Sequence, residues 1–136
     1  MTLYLDTSSL VKLYVEENGS DEVRARVARA DVLTTSVVAF AETRATLARM
    51  RRDKKLSPAR YAQTKQRFVD GWPAMLSHEV TGELVRSAGD LAEQHGLRGF
   101  DSIHLATFAH VLEQSVDEVE FSSFDTRMVA AARRLE

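Results

Sequence analysis

The chain has 136 residues, enough for one domain around a sizeable core, and its 44% hydrophobic and 28% charged content is that of an ordered globular protein. It has no cysteine, which excludes disulfides, thiolate metal sites and cysteine nucleophiles. A net charge of −2 offers no global attraction to nucleic acid, so such a partner would need a local basic patch.

The first element in chain order is a short strand over 2–5, which stops at Asp6. Asp6 interrupts the N-terminal apolar run too early for a signal peptide. A helix from Ser8 to Glu16 follows, with Leu10, Leu13 and Tyr14 on one side. Ser8 or Ser9 can cap this helix, which would leave the Asp6 carboxylate free at the strand's end. "NGS" at 18–20 is a turn, and Ser20 or Asp21 can cap the next helix, which runs to Ala30. Residues 31–36 read as a second strand, leading into a long helix over 37–52 that carries Glu42. Ser57 is a good cap for the helix after it, and Pro58 sits at its first position, where a missing N–H costs nothing. That helix ends near Trp72 and Pro73, and 74–80 is a third strand candidate.

Thr81 caps a helix to Gln94, closed by His95 and Gly96. "LRGF" is a turn before a helix from Asp101 to Gln114. Residues 118–123 are a fourth strand, and Asp125 opens a final helix with Met128, Ala131, Ala132 and Leu135 on one face. Strands alternating with helices predict an α/β sandwich around a parallel sheet, in one domain over 1–136 with no repeat and no linker. No apolar stretch approaches the ~20 residues that span a bilayer, so no membrane role and a cytoplasmic location are expected.

Ligands of open α/β sheets bind beyond the carboxyl ends of the strands. The polar residues that follow predicted strands are Asp6 and Ser8, then Glu42 on the helix after the second strand, then Ser123 and Asp125. Asp101 opens a helix that follows a helix. Asp6, Asp101 and Asp125 each stand where a helix N-cap is wanted, and capping alone accounts for any one of them. Glu42 lies on an otherwise small and apolar face, where an unpaired carboxylate is expensive; a salt bridge to Arg44 or Arg49 is the plain alternative. If the sheet brings these carboxylates to one edge, they cannot all stay ionised without a counter-charge. Oxygen-only ligands favour Mg²⁺ or Mn²⁺ over zinc.

"LYLDTSSLVKLY", "AFAETRATL", "RGFDSIHLATFA" and "FSSFDTRMVAAA" resemble, in order and spacing, the four acidic motifs of PIN-domain ribonucleases, and in style the VapC-like toxins of type II toxin–antitoxin systems. The likeness runs from Leu3 to Ala132, and the D-x-x-H-L-A-T-x-A pattern beginning at Asp101 is its most specific part. The resemblance implies that Asp6, Glu42, Asp101 and Asp125 form an acidic metal-binding and catalytic quartet. It implies Ser8 and Ser123 as hydroxyls near the metal or its water. It further implies a PIN-like α/β/α sandwich with a short, mainly parallel sheet of four or five strands. The implied activity is Mg²⁺- or Mn²⁺-dependent hydrolysis of RNA by metal-activated water, by a protein that is often a homodimer and is silenced by a co-encoded antitoxin. The family commonly adds a short fifth strand after the last helix, whereas this sequence stops at Glu136.

His104, one helical turn from Asp101, is a candidate ligand or a buried, hydrogen-bonded histidine. The basic run 49–55 reads either as cations completing a helix C-terminus or as a rim contacting phosphates. Other chemistries fit less well. A phosphotransfer enzyme using Asp6 as nucleophile would want a carboxylate where Ser8 stands, a metal-dependent adhesion module would want serine in place of Leu10, and no phosphate-binding glycine motif exists. A catalytically silent interaction or RNA-binding module on the same fold is the rival from another class.

Overall fold

The computed structural model describes residues 1–136. Four strands, β1 (Thr2–Leu5), β2 (Val32–Ser36), β3 (Leu76–His78) and β4 (Val119–Ser122), form one parallel sheet in the order β3-β2-β1-β4. Seven helices connect them: α1 (Thr7–Tyr14), α2 (Ser20–Arg29), α3 (Val38–Arg52), α4 (Pro58–Gly71), α5 (Gly82–His95), α6 (Gly99–Gln114) and α7 (Thr126–Leu135). A single 3₁₀ turn, Trp72–Ala74, joins α4 to β3. No helix is long and apolar enough to cross a membrane.

The central strand shows why the sheet is covered on both faces. Successive side chains of a strand point to opposite sides. Leu3 and Leu5 accordingly enter a cluster with Leu10, Val23, Ala39 and Phe68 from α1 to α4. Tyr4 points the other way, into a cluster with Leu105, Phe108 and Val111 of α6, Met128 and Ala131 of α7, and Val119 and Phe121 of β4. A strand buried on both faces reads as a continuous apolar run, which is what "LYL" is. Buried strand threonines spend their hydroxyls on the backbone: Thr35 donates to Leu5 O and Thr34 to Leu76 O, both at 2.7 Å.

This topology locates the site. From β1 the chain builds outward through β2 to β3, then returns to place β4 on the other side of β1. The order reverses between β1 and β4, and a crevice opens where neighbouring strands send their chains in opposite directions. Asp6 is the residue after β1 at that point, and its N–H still donates to Ser122 O of β4 at 3.1 Å.

Most helix starts agree with the expected caps: Ser57, Thr81 and Asp125 each accept from a first-turn N–H, and Gly96 closes α5 in the left-handed conformation. Three starts differ. Asp6 itself caps α1, accepting from Ser9 N at 3.1 Å, so neither serine relieves it of that duty. Gly19, not Ser20 or Asp21, precedes α2, and Ser20 Oγ donates instead to Val15 O. Helix α6 begins at Gly99 after Arg98, so Asp101 lies inside the first turn and is not a cap.

Gly19 has φ +94°, and a Cβ there would stand 2.5 Å from the Phe124 ring. Both strain and overlap oppose a side chain. Gly19→Ala is expected to destabilise the fold by about 1–3 kcal/mol, read as a lower urea midpoint with an unchanged m-value.

Candidate active site

Asp6 is 5% exposed, the most enclosed of the four acids. Its Oδ1 accepts from the Ser8 hydroxyl at 2.6 Å and from Ser9 N at 3.1 Å, so the first turn of α1 holds the carboxylate in one orientation. The Ser8 oxygen also accepts from Phe124 N at 3.0 Å, which ties the loop after β4 to the loop after β1. Ser123 lies against the Asp6 carboxylate and accepts from Asp125 N at 3.1 Å, linking two of the acids. Beneath them Ser9 Oγ and Ser122 Oγ meet at 2.8 Å. Burial nevertheless pushes the Asp6 carboxyl above its ordinary value, outweighing relief from Ser123, Ser8, the charge of His104 and Ser9 N–H.

Glu42 projects from α3 on the other side of the crevice. It pairs with neither Arg44 nor Arg49; Oε1 accepts from Thr7 Oγ1 at 2.7 Å and meets His104 Nε2 at 2.7 Å. His104, 2% exposed, is held on its other side by Tyr4 Oη, 2.8 Å from Nδ1. An ionised carboxylate only accepts, so the Nε2 facing it carries the hydrogen. Burial opposes the charge on Glu42, yet its pKa lies below the ordinary value because the His104 bond and charge, the Thr7 hydroxyl and the field of Arg98 outweigh it. Tyr4 stays a phenol, since complete burial raises its pKa well above the usual. One chain of contacts thus joins β1, α1, α3 and α6.

The other two acids are more open. Asp101 Oδ2 accepts from Arg98 Nε at 3.0 Å. Asp125 Oδ1 caps α7 by accepting from Arg127 N at 2.9 Å. Both line a recess of about 330 Å³ together with Leu97, Arg98 and Arg127. The charges of Asp101, Asp125 and Glu42 all act on Arg98.

The structure therefore joins the sequence candidates in two groups. Asp6, Ser8, Ser123 and Asp125 are linked through the β1 and β4 loops, with Asp101 beside Asp125 in the recess that Arg98 lines, and Glu42 stands apart with Thr7 and His104. No three carboxylates or imidazoles stand close enough to hold an ion in their present rotamers. In donor type the set still suits a hard divalent cation, since it is all carboxylate and hydroxyl oxygen. A cation already occupies its field, in the form of the Arg98 guanidinium. Thr7, Tyr4 and Arg98 carry no motif of their own. Only their spacing from Asp6 and Asp101 hints at them.

The basic run does not border these acids. Arg49, Arg51 and Arg52 fill the last turn of α3, where they complement the helix dipole, and Arg51 stacks over Tyr61. Met50 and Lys55 line a different cleft, of about 660 Å³, that none of the four acids enters.

Two substitutions test the electrostatics. Asp6→Asn keeps the Ser9 cap and removes a buried charge, so the metal-free variant should be more stable at pH 7, by about 1 kcal/mol or roughly 4 °C in Tm. A raised native pKa favours folding below the unfolded value of about 3.9, and that advantage is lost as pH rises through the native value. The gap between variant and wild type should therefore close on acidification, as read by thermal melts across pH. His104→Leu leaves Glu42 and Tyr4 without their shared partner and should cost about 2–3 kcal/mol. The Glu42 titration followed by carbon NMR should move upward. The contribution of a depressed carboxyl is present above the unfolded pKa and lost as pH falls through the native one, so the stability difference should shrink over that acidic window.

Comparison with known proteins places these features in a lineage. The family model described as PIN domain matches residues 3–134. Over 105 residues the chain is 36% identical to Ribonuclease VapC45 of Mycobacterium tuberculosis (strain CDC 1551 / Oshkosh), covering 77% of this chain and 73% of that protein. The same identity and coverage hold for Ribonuclease VapC49 of Mycobacterium tuberculosis (strain ATCC 25618 / H37Rv).

Proposed function

The chain belongs to the PIN-domain family, and from that premise we propose that it is a metal-dependent ribonuclease, the toxin of a toxin–antitoxin pair, acting as a single domain. The observation that carries the reading is the Asp6 carboxylate, buried at the switch point between β1 and β4 and tied through Ser8 and Ser123 to the loop that carries Asp125, at a desolvation cost that its hydrogen bonds do not fully offset. Such a cost is what a cation offsets.

In this reading Asp6, Glu42, Asp101 and Asp125 hold Mg²⁺ or Mn²⁺. The cation, when bound, supplies Lewis-acid stabilisation of phosphoryl oxygens and makes water more acidic. The chain's own residues set the geometry. Ser8 and Ser9 N–H orient Asp6, His104 and Thr7 orient Glu42, and Ser123 spaces Asp125 from Asp6. Ser8 and Ser123 both act on the Asp6 carboxylate and on the loop after β4, Ser8 by accepting from Phe124 N and Ser123 by accepting from Asp125 N. Hydrolysis adds water across the phosphodiester in line, breaks the bond to the 3′ oxygen, and leaves a 3′-hydroxyl and a 5′-phosphate. The protein partners proposed are an antitoxin that covers the acidic crevice and a second copy of the chain.

The purified protein should cut RNA with Mg²⁺ or Mn²⁺ and stop when EDTA is added. Asp6→Asn and Asp101→Asn should each lower the rate by about 100-fold or more. Equal cleavage by wild type and both variants would rule out this site. The absence of any cleavage across RNA classes would leave the silent binding module as the better reading. Products ending in 2′,3′-cyclic phosphate would mean attack by the RNA's own 2′-hydroxyl and would overturn the hydrolytic step.

A further inference from the structure

Arg98 pairs with one of the four acids, Asp101, and lines the recess that holds a second, Asp125. It is the residue immediately before α6, and its side chain is 84% exposed, so packing does not hold it. Its position comes from charge. Nε donates to Asp101 Oδ2 at 3.0 Å, across a single helical turn. Its pKa is raised, chiefly by that hydrogen bond and charge. Arg127 lines the same recess, but its guanidinium is engaged with Gly96 O at 3.1 Å. The basic run at the end of α3 opens on another cleft.

An exposed ion pair of this kind is weak, on the order of 0.2–1 kcal/mol. A divalent cation entering the same field would carry twice the charge and take several oxygens at once, so Asp101 would exchange partners and free the guanidinium. The freed group would still be anchored one turn from Asp101, in the lining of the same recess. A planar fork of N–H donors matches two phosphate oxygens, which a lysine ammonium does not.

Resting on the ribonuclease reading of this crevice, we propose that Arg98 is an exchangeable counter-ion. It neutralises the acids while no divalent cation is bound and becomes a ligand of the RNA phosphodiester once one is. The local basic element that the chain's negative net charge calls for is then a single arginine inside the site.

The test measures two affinities with opposite expected signs, neither of which requires turnover. Mn²⁺ is titrated calorimetrically into metal-free wild type, Arg98→Gln, Arg98→Lys and the control Arg52→Gln, which makes the same charge change away from the crevice. A fluorescent single-stranded phosphorothioate RNA is then titrated by anisotropy at saturating Mn²⁺. Arg98→Gln should bind Mn²⁺ about 2- to 5-fold more tightly, the exposed-pair energy expressed as a ratio, and should bind RNA several-fold more weakly. Arg98→Lys should weaken RNA binding with little gain for Mn²⁺, and Arg52→Gln should change neither. Unchanged or weaker Mn²⁺ binding in Arg98→Gln overturns the counter-ion role, and unchanged RNA binding in both Arg98 variants overturns the phosphate role. Mn²⁺ binding by no protein in the set would instead defeat the metal site itself, and this inference with it.

Discussion

The contact between Glu42 and His104 is the constraint that organises the crevice. A carboxylate on the apolar side of α3 would be costly to leave unpaired. The imidazole that meets it at 2.7 Å cannot turn away, because Tyr4 holds its other nitrogen from the middle of the sheet. Tyr4 is fixed in turn by stacking on Phe121 and by complete burial. The position of Glu42 is thereby referred back to the central strand, across α6. Thr7, the first residue of α1, closes the loop by bonding the same carboxylate oxygen. Sheet and helices on both faces therefore set the site together, and the site inherits the rigidity of the core.

Asp6 is handled differently. Glu42 meets an imidazole, while Asp6 receives only neutral donors, Ser8, Ser9 N–H and Ser123, and its carboxyl remains above the ordinary value. Capping and site duty coexist in it, because one oxygen satisfies the helix N-terminus while the carboxylate still faces the crevice. The more open pair, Asp101 and Asp125, meets the solvent-borne charge of Arg98. The acids thus run from an enclosed carboxylate met by neutral donors to more open ones beside an exposed arginine.

Much of this was legible in the residues. The alternation of short apolar runs with helical periodicity specifies a parallel sheet, and all four strands appear within two or three residues of their expected bounds. Capping chemistry placed the starts of α4, α5 and α7 correctly, since Ser57, Thr81 and Asp125 act locally. At α1 it offered Asp6 or a serine, and Asp6 is the cap because Ser8 is drawn to the loop after β4. It failed at α2, which Gly19 precedes, and at α6, which starts two residues early and carries Asp101 inside its first turn. The salt bridge offered as the plain alternative for Glu42 did not form. Arg44 lies over Phe40, and the actual partners, Thr7 and His104, stand 35 and 62 positions away in the chain.

By itself, then, the sequence determined the layer architecture and the order of the elements, and it offered the four acids with their neighbouring hydroxyls as candidates, because periodicity, caps and motif spacing are local properties of the chain. Tertiary structure decided what closes around them: His104, 62 positions from Glu42, meets that carboxylate, and the loop after β4 brings Ser123 to Asp6 and Asp125 to the recess of Asp101 and Arg98. The bond from Phe124 N to Ser8 Oγ crosses the switch point between β1 and β4, where segments more than a hundred residues apart become neighbours. The electrostatic balance of the site is a sum over such neighbours, so it exists only once the sheet has formed.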